Sequence, residues 1–186
     1  FNSGHEAYIS YAIAHREPAR SDLKDAQKGS TDFTPKPERL NDWEIGYRMR
    51  LQNLSVDFNY YYMLYKDQLV LTGELTDVGY ARMANVPNSY RTGIELTLSA
   101  KPASWFKIDG NTTLSKNIIK DYTNFANLTD NPTDWNDLQS PVAEPLGNTT
   151  ISFSPSLVAF TRITILPVEN FQFSWVSKYV SRQYID

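Results

Sequence analysis

Between residues 43 and 115 apolar and polar side chains alternate one by one through four successive stretches, a period of two that fits strands and no helix. Trp43, Ile45, Tyr47, Met49 and Leu51 alternate with Glu44, Gly46, Arg48 and Arg50. Leu54, Val56, Phe58, Tyr60, Tyr62 and Leu64 alternate with Ser55, Asp57, Asn59 and Tyr61. Tyr90, Thr92, Ile94, Leu96 and Leu98 stand against Arg91, Gly93, Glu95, Thr97 and Ser99, and Phe106, Ile108, Gly110, Thr112 and Leu114 against Lys107, Asp109, Asn111 and Thr113. A fold built on this chain has to give those strands one apolar and one polar surface.

The flanks extend the pattern. Residues 6–14 alternate in the same way, with Ala7, Ile9, Tyr11 and Ile13 on one face. Residues 157–166 are apolar on both faces, and 171–179 set Phe171, Phe173, Trp175 and Tyr179 against Gln172, Ser174 and Lys178. Short turns are expected at 52–53, 102–104 and 167–170. Residues 16–38, 73–79 and 118–155 read as long loops, the last with a short strand over 149–153. Residues 66–95 form the top of a long hairpin, with Gly73 and Gly79 around its polar turn and Pro87 breaking the returning side. No stretch shows useful helical periodicity.

Connections thus alternate long and short, which puts all the long ones at one end of an antiparallel up-and-down meander of about seven long strands. Outer-membrane β-barrels have this asymmetry, with a lipid-facing apolar surface and a polar lumen. The charges obey it: Glu44, Arg48, Arg50, Asp57, Arg91, Glu95, Lys101, Lys107 and Asp109 all fall on polar faces. Apolar-face aromatics gather near strand ends, as interfacial girdles do: Phe106 and Phe171 at the short-turn end, and Trp43, Tyr60, Tyr62 and Tyr90 toward the other. Hairpin arms of about 20 residues would rise ~50 Å at a tilt of ~40°, about twice the ~25 Å apolar band, so the hairpin tip stands outside the membrane. No apolar run reaches the ~18 residues of a membrane helix, and residues 1–20 lack a signal-peptide pattern. The 18 basic and 21 acidic residues nearly balance, which gives no basic surface for nucleic acid. Without cysteine there is no disulfide framework and no thiolate metal site.

Several blocks carry a family resemblance. Ser10-Tyr11-Ala12-Ile13-Ala14-His15-Arg16-Glu17-Pro18-Ala19-Arg20 is followed by Lys36-Pro37-Glu38 and Glu44-Ile45-Gly46-Tyr47. Gln68-Leu69-Val70-Leu71-Thr72-Gly73 and Ser89-Tyr90-Arg91-Thr92-Gly93-Ile94-Glu95 come next. Phe153-Ser154-Pro155-Ser156 and Lys178-Tyr179-Val180-Ser181-Arg182-Gln183-Tyr184 follow. In order and spacing the chain resembles, over nearly its whole length, the C-terminal half of a TonB-dependent outer-membrane receptor of the Bacteroidetes kind. Ser181 departs from the pattern, since similar sequences often have Gly there. The resemblance implies part of a barrel of about 22 strands in the bacterial outer membrane. It implies no enzyme and no cofactor. It further implies, for the intact receptor, an N-terminal plug domain, a TonB system that supplies energy, and import of a scarce ligand such as an iron chelate, cobalamin or a glycan. This chain carries no plug, TonB box or signal peptide of its own, so the expectation is a fragment of such a receptor, with outer-membrane lipid, the plug and the TonB system as partners.

Candidate ligand-binding residues lie in the outer loops and barrel mouth: Arg16, Arg20, Tyr80, Arg82, Tyr122 and Trp135. Arg16, Glu17, Arg20 and Asp22 form a charge cluster that could meet an anionic ligand or the plug, or close on itself as salt bridges. Tyr122, Phe125 and Trp135, set among Asn and Asp, suit a sugar or chelate, or a loop packing on itself. The acids of 121–144 match no EF-hand spacing and read as a solvated loop. His5 and His15 make a poor metal pair. Glu44 with Glu95, or Asp57 with Asp109, could be imagined as a glycosidase pair, but lumen charges explain them without chemistry. No Ser-His-Asp order or phosphate loop is present. The alternatives are a soluble β-sandwich carbohydrate-binding module, with Val56, Ile94 and Ile108 in one interior, and a β-rich hydrolase.

Overall fold

The computed structural model describes residues 4–28, 34–75, 81–126 and 142–185. Strands β1 (His5–Arg16), β2 (Glu38–Arg50), β3 (Leu54–Leu75), β4 (Ala81–Ala103), β5 (Phe106–Ala126), β6 (Val142–Thr150), β7 (Leu157–Val168) and β8 (Phe171–Val180) form one antiparallel sheet. The path is β1-β2-β3-β4-β5-β7-β8, and β6 also pairs with β5. Pairing is in sequence order, as a meander requires. β6 takes the outer part of β5 (Ile118↔Thr150) and β7 the inner part (Leu114↔Leu157). Both run against β5, so they share one edge and act as a single interrupted strand. Eight strands by pairing are thus seven staves of wall, as the alternation predicts.

The sheet is one layer. Ile9 is 80% exposed, Ile45 53%, Ile94 41% and Trp175 60%. Soluble proteins rarely leave such a continuous apolar surface open. A β-sandwich would need a second sheet over it, and among the described residues there is none. The apolar face also carries an aromatic row in which neighbouring rings touch. Tyr11–Trp43, Trp43–Tyr62 and Tyr62–Tyr90 have centroids 5.0, 6.5 and 6.1 Å apart. Leu54 to Tyr62 spans eight residue steps, ~27 Å of strand or ~20 Å of height at a ~40° tilt, close to the ~25 Å apolar band. Beyond Tyr62, β3 runs on to Leu75, so the hairpin continues well past the row.

The short turns are tighter than the sequence implies. Pro102 lies within β4 and Pro167 within β7, which leaves Ser104-Trp105 and Glu169-Asn170 as connections. Asn170, at φ +63°, takes the left-handed conformation that Asn tolerates in turns.

Three stretches read otherwise from sequence. The 16–38 loop contains a helix, α1 (Arg20–Lys28). Its first turn is capped from within: Ala19 N–H donates to Asp22 Oδ2 at 2.9 Å, and Leu23 N–H to the Ala19 carbonyl at 3.2 Å. The 118–155 span is partly sheet, because β5 extends to Ala126 and β6 covers 142–150 rather than 149–153. Residues 73–75 close β3 rather than open the tip loop. Nor does Pro87 break the return, since β4 runs through it. Opposite Pro87, which has no N–H, Asp67 stands at φ +53°. Asn85 Nδ2 supplies a donor instead, bonding the Asp67 carbonyl at 2.6 Å. Facing reverses there: Gln68 Oε1 accepts from Ser89 Oγ on the polar face, and Val70 and Val86 pack with Ile119 and Ile151.

Candidate functional site on the polar wall

The polar face is a wall of paired charges at its short-turn end. Arg50 clamps Asp57 through Nη2, at 2.6 and 2.9 Å, and Arg48 reaches Glu6 at 3.2 Å while lying over the Tyr8 ring. Asp109 accepts from Arg162 at 2.8 Å, from Lys107 at 3.0 Å and from Ser99 at 2.8 Å. Each partner comes from a neighbouring strand or two residues along the same face, as the strand period provides.

Higher up, the wall opens into a recess of about 340 Å³. β2 contributes Glu44, β3 Asn59, Tyr61 and Met63, and β4 Arg91 and Glu95. Residues 151–156, between β6 and β7, fold across it. Ser115 donates through N–H to the Ser156 carbonyl (2.8 Å) and through Oγ to the Pro155 carbonyl (2.9 Å). Phe153 turns the chain at φ +53°. Arg91 Nη1 donates to Ser154 Oγ at 3.0 Å, and its guanidinium lies 6.0 Å from the Tyr65 ring centroid. Among the described residues Glu44 and Glu95 have no ion-pair partner, and one oxygen of Asp42 is buried without a hydrogen bond. Glu44 and Glu95 line one open recess beside the Arg91 guanidinium, which Ser154 holds.

At the mouth, Glu38 is the joint. Its carboxylate, 12% exposed, takes Arg16 Nε at 3.1 Å and the backbone N–H of Leu69 at 3.0 Å. Asn85 clasps Lys36 beside it, accepting from its N–H at 2.7 Å and donating to its carbonyl at 3.0 Å. So Lys36-Pro37-Glu38 is bolted to the β3–β4 hairpin. Glu38→Ala should cost about 1–2 kcal/mol, because Leu69 N–H is buried and loses its acceptor. Chemical unfolding of the intact receptor measures this, and Glu38→Gln, which keeps an acceptor, should recover about half.

A family model described as TonB dependent receptor-like, beta-barrel, matches residues 1–184. The chain belongs to the TonB-dependent receptor β-barrel family. This is a family of transport receptors rather than enzymes, and its barrels are outer-membrane proteins. Solved structures agree in fold. The copper transporter OprC superposes at a TM-score of 0.69 with 17% identity, over 97% of this chain and 24% of that one. The ferric-catecholate import receptor Fiu of Escherichia coli K12 gives 0.63 and 17%, over 96% and 23%. The siderophore receptor PiuA of Acinetobacter baumannii gives 0.67 and 14%, over 96% and 24%. The chain therefore spans about a quarter of the length of these receptors. No curated protein sequence matches it.

With the polar face thus assigned to the receptor's lumen, the candidate ligand residues scatter. Arg16 ends β1 in its ion pair with Glu38, not with Glu17 or Asp22. Arg20 is exposed and opens α1. Tyr122, on β5, is partly buried against Val70, Val86, Ile119 and Ile151. Four strand steps at ~4.8 Å put it ~19 Å across the sheet from β1. Arg82 lies in β4 near the tip. Tyr80 and Trp135 lie outside the described residues. No cluster of metal-ligating side chains occurs among the described residues. Sequence reasoning missed the inward fold at 151–156. Its signal was the Phe153-Ser154-Pro155-Ser156 block, where a proline and two serines interrupt a strand.

Proposed function

We propose that this chain forms part of the lumen wall of an outer-membrane receptor that imports a metal chelate, with energy delivered by TonB and a plug domain seated against the recess. The observation that carries the reading is the family match over residues 1–184, joined to a one-layer sheet with an open apolar face. Names of the fold relatives favour a metal cargo over cobalamin or a glycan: copper for OprC and ferric catecholate for Fiu. Glu44 and Glu95, which line the recess without an ion-pair partner among the described residues, suit hydrogen-bond donors of a plug. Arg16, Arg20, Tyr80, Arg82, Tyr122 and Trp135 remain the proposed ligand contacts.

Uptake of ferric-catecholate and ferric-hydroxamate chelates, measured in cells with and without the receptor gene, tests this. Loss of the gene or of TonB should abolish uptake of at least one chelate. Undiminished uptake of both, with lost growth on cobalamin or on a glycan, would replace the metal cargo.

A further inference from the structure

Strand β7 is apolar on both faces, and its pairing settles which residues lie on which. Leu157, Ala159, Ile163 and Ile165 pair with Leu114, Thr112, Ile108 and Phe106 on the apolar face. That leaves Val158 and Phe160 on the polar face, where Val158 lines the recess beside Phe153. On β8, Val180 pairs with Val158 and Val176 with Arg162, so both share that face. Phe153, Val158, Val176 and Val180 are exposed. Over 44–50, 55–61, 91–99 and 107–115 the polar face of β2 to β5 carries no valine, leucine, isoleucine or phenylalanine. The apolar patch is therefore confined to one sector of the wall. Two cations stand in it: Arg162 is tied to Asp109, and Lys178 can lay its stem along the valines.

Phe153 adds a second, independent observation. At φ +53° it occupies backbone that suits Gly or Asn, and it does so at an exposed position. The turn around it is firmly held. Ile151 N–H donates to the Asn117 carbonyl at 3.1 Å, and Phe153 N–H to the Tyr184 carbonyl at 2.8 Å. Ser154 Oγ donates to the Ser152 carbonyl at 3.1 Å while accepting from Arg91. A strained residue kept in place by its surroundings points to a use for its side chain.

We propose that Phe153, Val158, Phe160, Val176 and Val180 form an apolar seat for aliphatic side chains of the plug domain, with Phe153 as its aromatic anchor; the proposal rests on reading this face as lumen wall. A strand that faces a watery lumen alternates, whereas one covered on both sides reads as a continuous apolar run. β7 is of the second kind, so its lumen side has a protein cover. A passing cargo would leave the patch wet between turnovers. Depth favours the plug over outer loops, because Val158 is level with Glu95 through Thr113, ~13 Å below Tyr90 of the aromatic row at the strand tilt. The chain spans about a quarter of its fold relatives, which leaves ample length for such a domain elsewhere in the receptor. An exposed aromatic ring amid aliphatic neighbours is the kind of centre on which interfaces close.

The test uses the full-length receptor in bilayers, with other cysteines removed and single nitroxide-labelled cysteines at Val158, Val180 and Thr97. Thr97 is the reference, exposed on the charged part of the wall and level with Phe160 through Asn111. A water-soluble nickel chelate should reach Val158 and Val180 at least about tenfold less than Thr97, because an interface core packs like a protein interior. Oxygen should relax neither. Benzoylphenylalanine in place of Phe153 should photo-cross-link to a plug peptide, identified by mass spectrometry after proteolysis. Should a cysteine variant fail to insert, that cross-link decides alone. Nickel access at Val158 equal to that at Thr97, or cross-links to barrel peptides only or to none, would overturn the seat and leave the lumen reading standing. Strong oxygen relaxation at Val158 and Val180, with none at Phe58, would instead overturn the lumen reading itself.

Discussion

Phe58→Arg should destabilise the bilayer-inserted receptor by about 2–4 kcal/mol, while Thr97→Arg should stay within about 0.5 kcal/mol. Phe58 sits midway between the Leu54 turn and Tyr62 of the aromatic row, on the apolar face, which puts it near mid-membrane. Its cross-strand neighbours are Tyr47 and Leu96, so an arginine there has no polar partner and no short route to water. Thr97 is at the same level on the opposite face, across from Asp57, where a guanidinium gains a carboxylate. Denaturant unfolding of the receptor in lipid vesicles, followed by tryptophan fluorescence, separates the two. Equal effects would mean that the faces do not differ in environment.

The second large effect is steric. Gly93→Leu should cost about 3 kcal/mol or more. A Cβ at Gly93 would collide with the Leu114 carbonyl and come within 2.6 Å of Tyr61 Oη. The carbonyl belongs to the adjacent strand and cannot yield. The tyrosine ring is buried across the glycine and has to leave, opening the wall of the recess. Gly110→Ala is the milder comparison, because its Cβ would stand 3.2 Å from the Phe160 carbonyl, a tight contact that a shift of a few tenths of an ångström relieves, and it should cost about 1 kcal/mol. The same vesicle unfolding reads both. A Gly93 variant as stable as wild type would contradict the close packing of β3, β4 and β5.

How far the fold was legible follows the two faces of the sheet. Up to the aromatic row each strand has an open apolar face and a polar one, so side-chain chemistry alternates and fixes faces and register. Arg91 and Glu95 line the recess, on the face their parity predicts. Beyond the aromatic row the facing reverses at Asp67, and the one-by-one alternation is lost. There β5 continues through Lys120-Asp121-Tyr122-Thr123, a polar string that reads as loop, because β6 satisfies its backbone. α1 was invisible for a related reason. Its sequence carries no apolar stripe, and its start is set by one carboxylate, Asp22, reaching back to Ala19. The mouth was half legible. Lys36-Pro37-Glu38 stood out as a block, yet its partners Leu69 and Asn85 lie more than 30 residues away and only strand pairing brings them near.

The central claim is that one sheet separates lipid from lumen, residue by residue. This chain has no cysteine, so single cysteines placed at 55–62 in the full-length receptor, with any others removed, can carry nitroxide spin labels. In bilayers, oxygen should relax labels at Val56, Phe58, Tyr60 and Tyr62, and a water-soluble nickel chelate those at Ser55, Asp57 and Asn59. Buried Tyr61 should resist both. Accessibility without a two-residue period, or with all positions shielded from oxygen alike, would contradict the account.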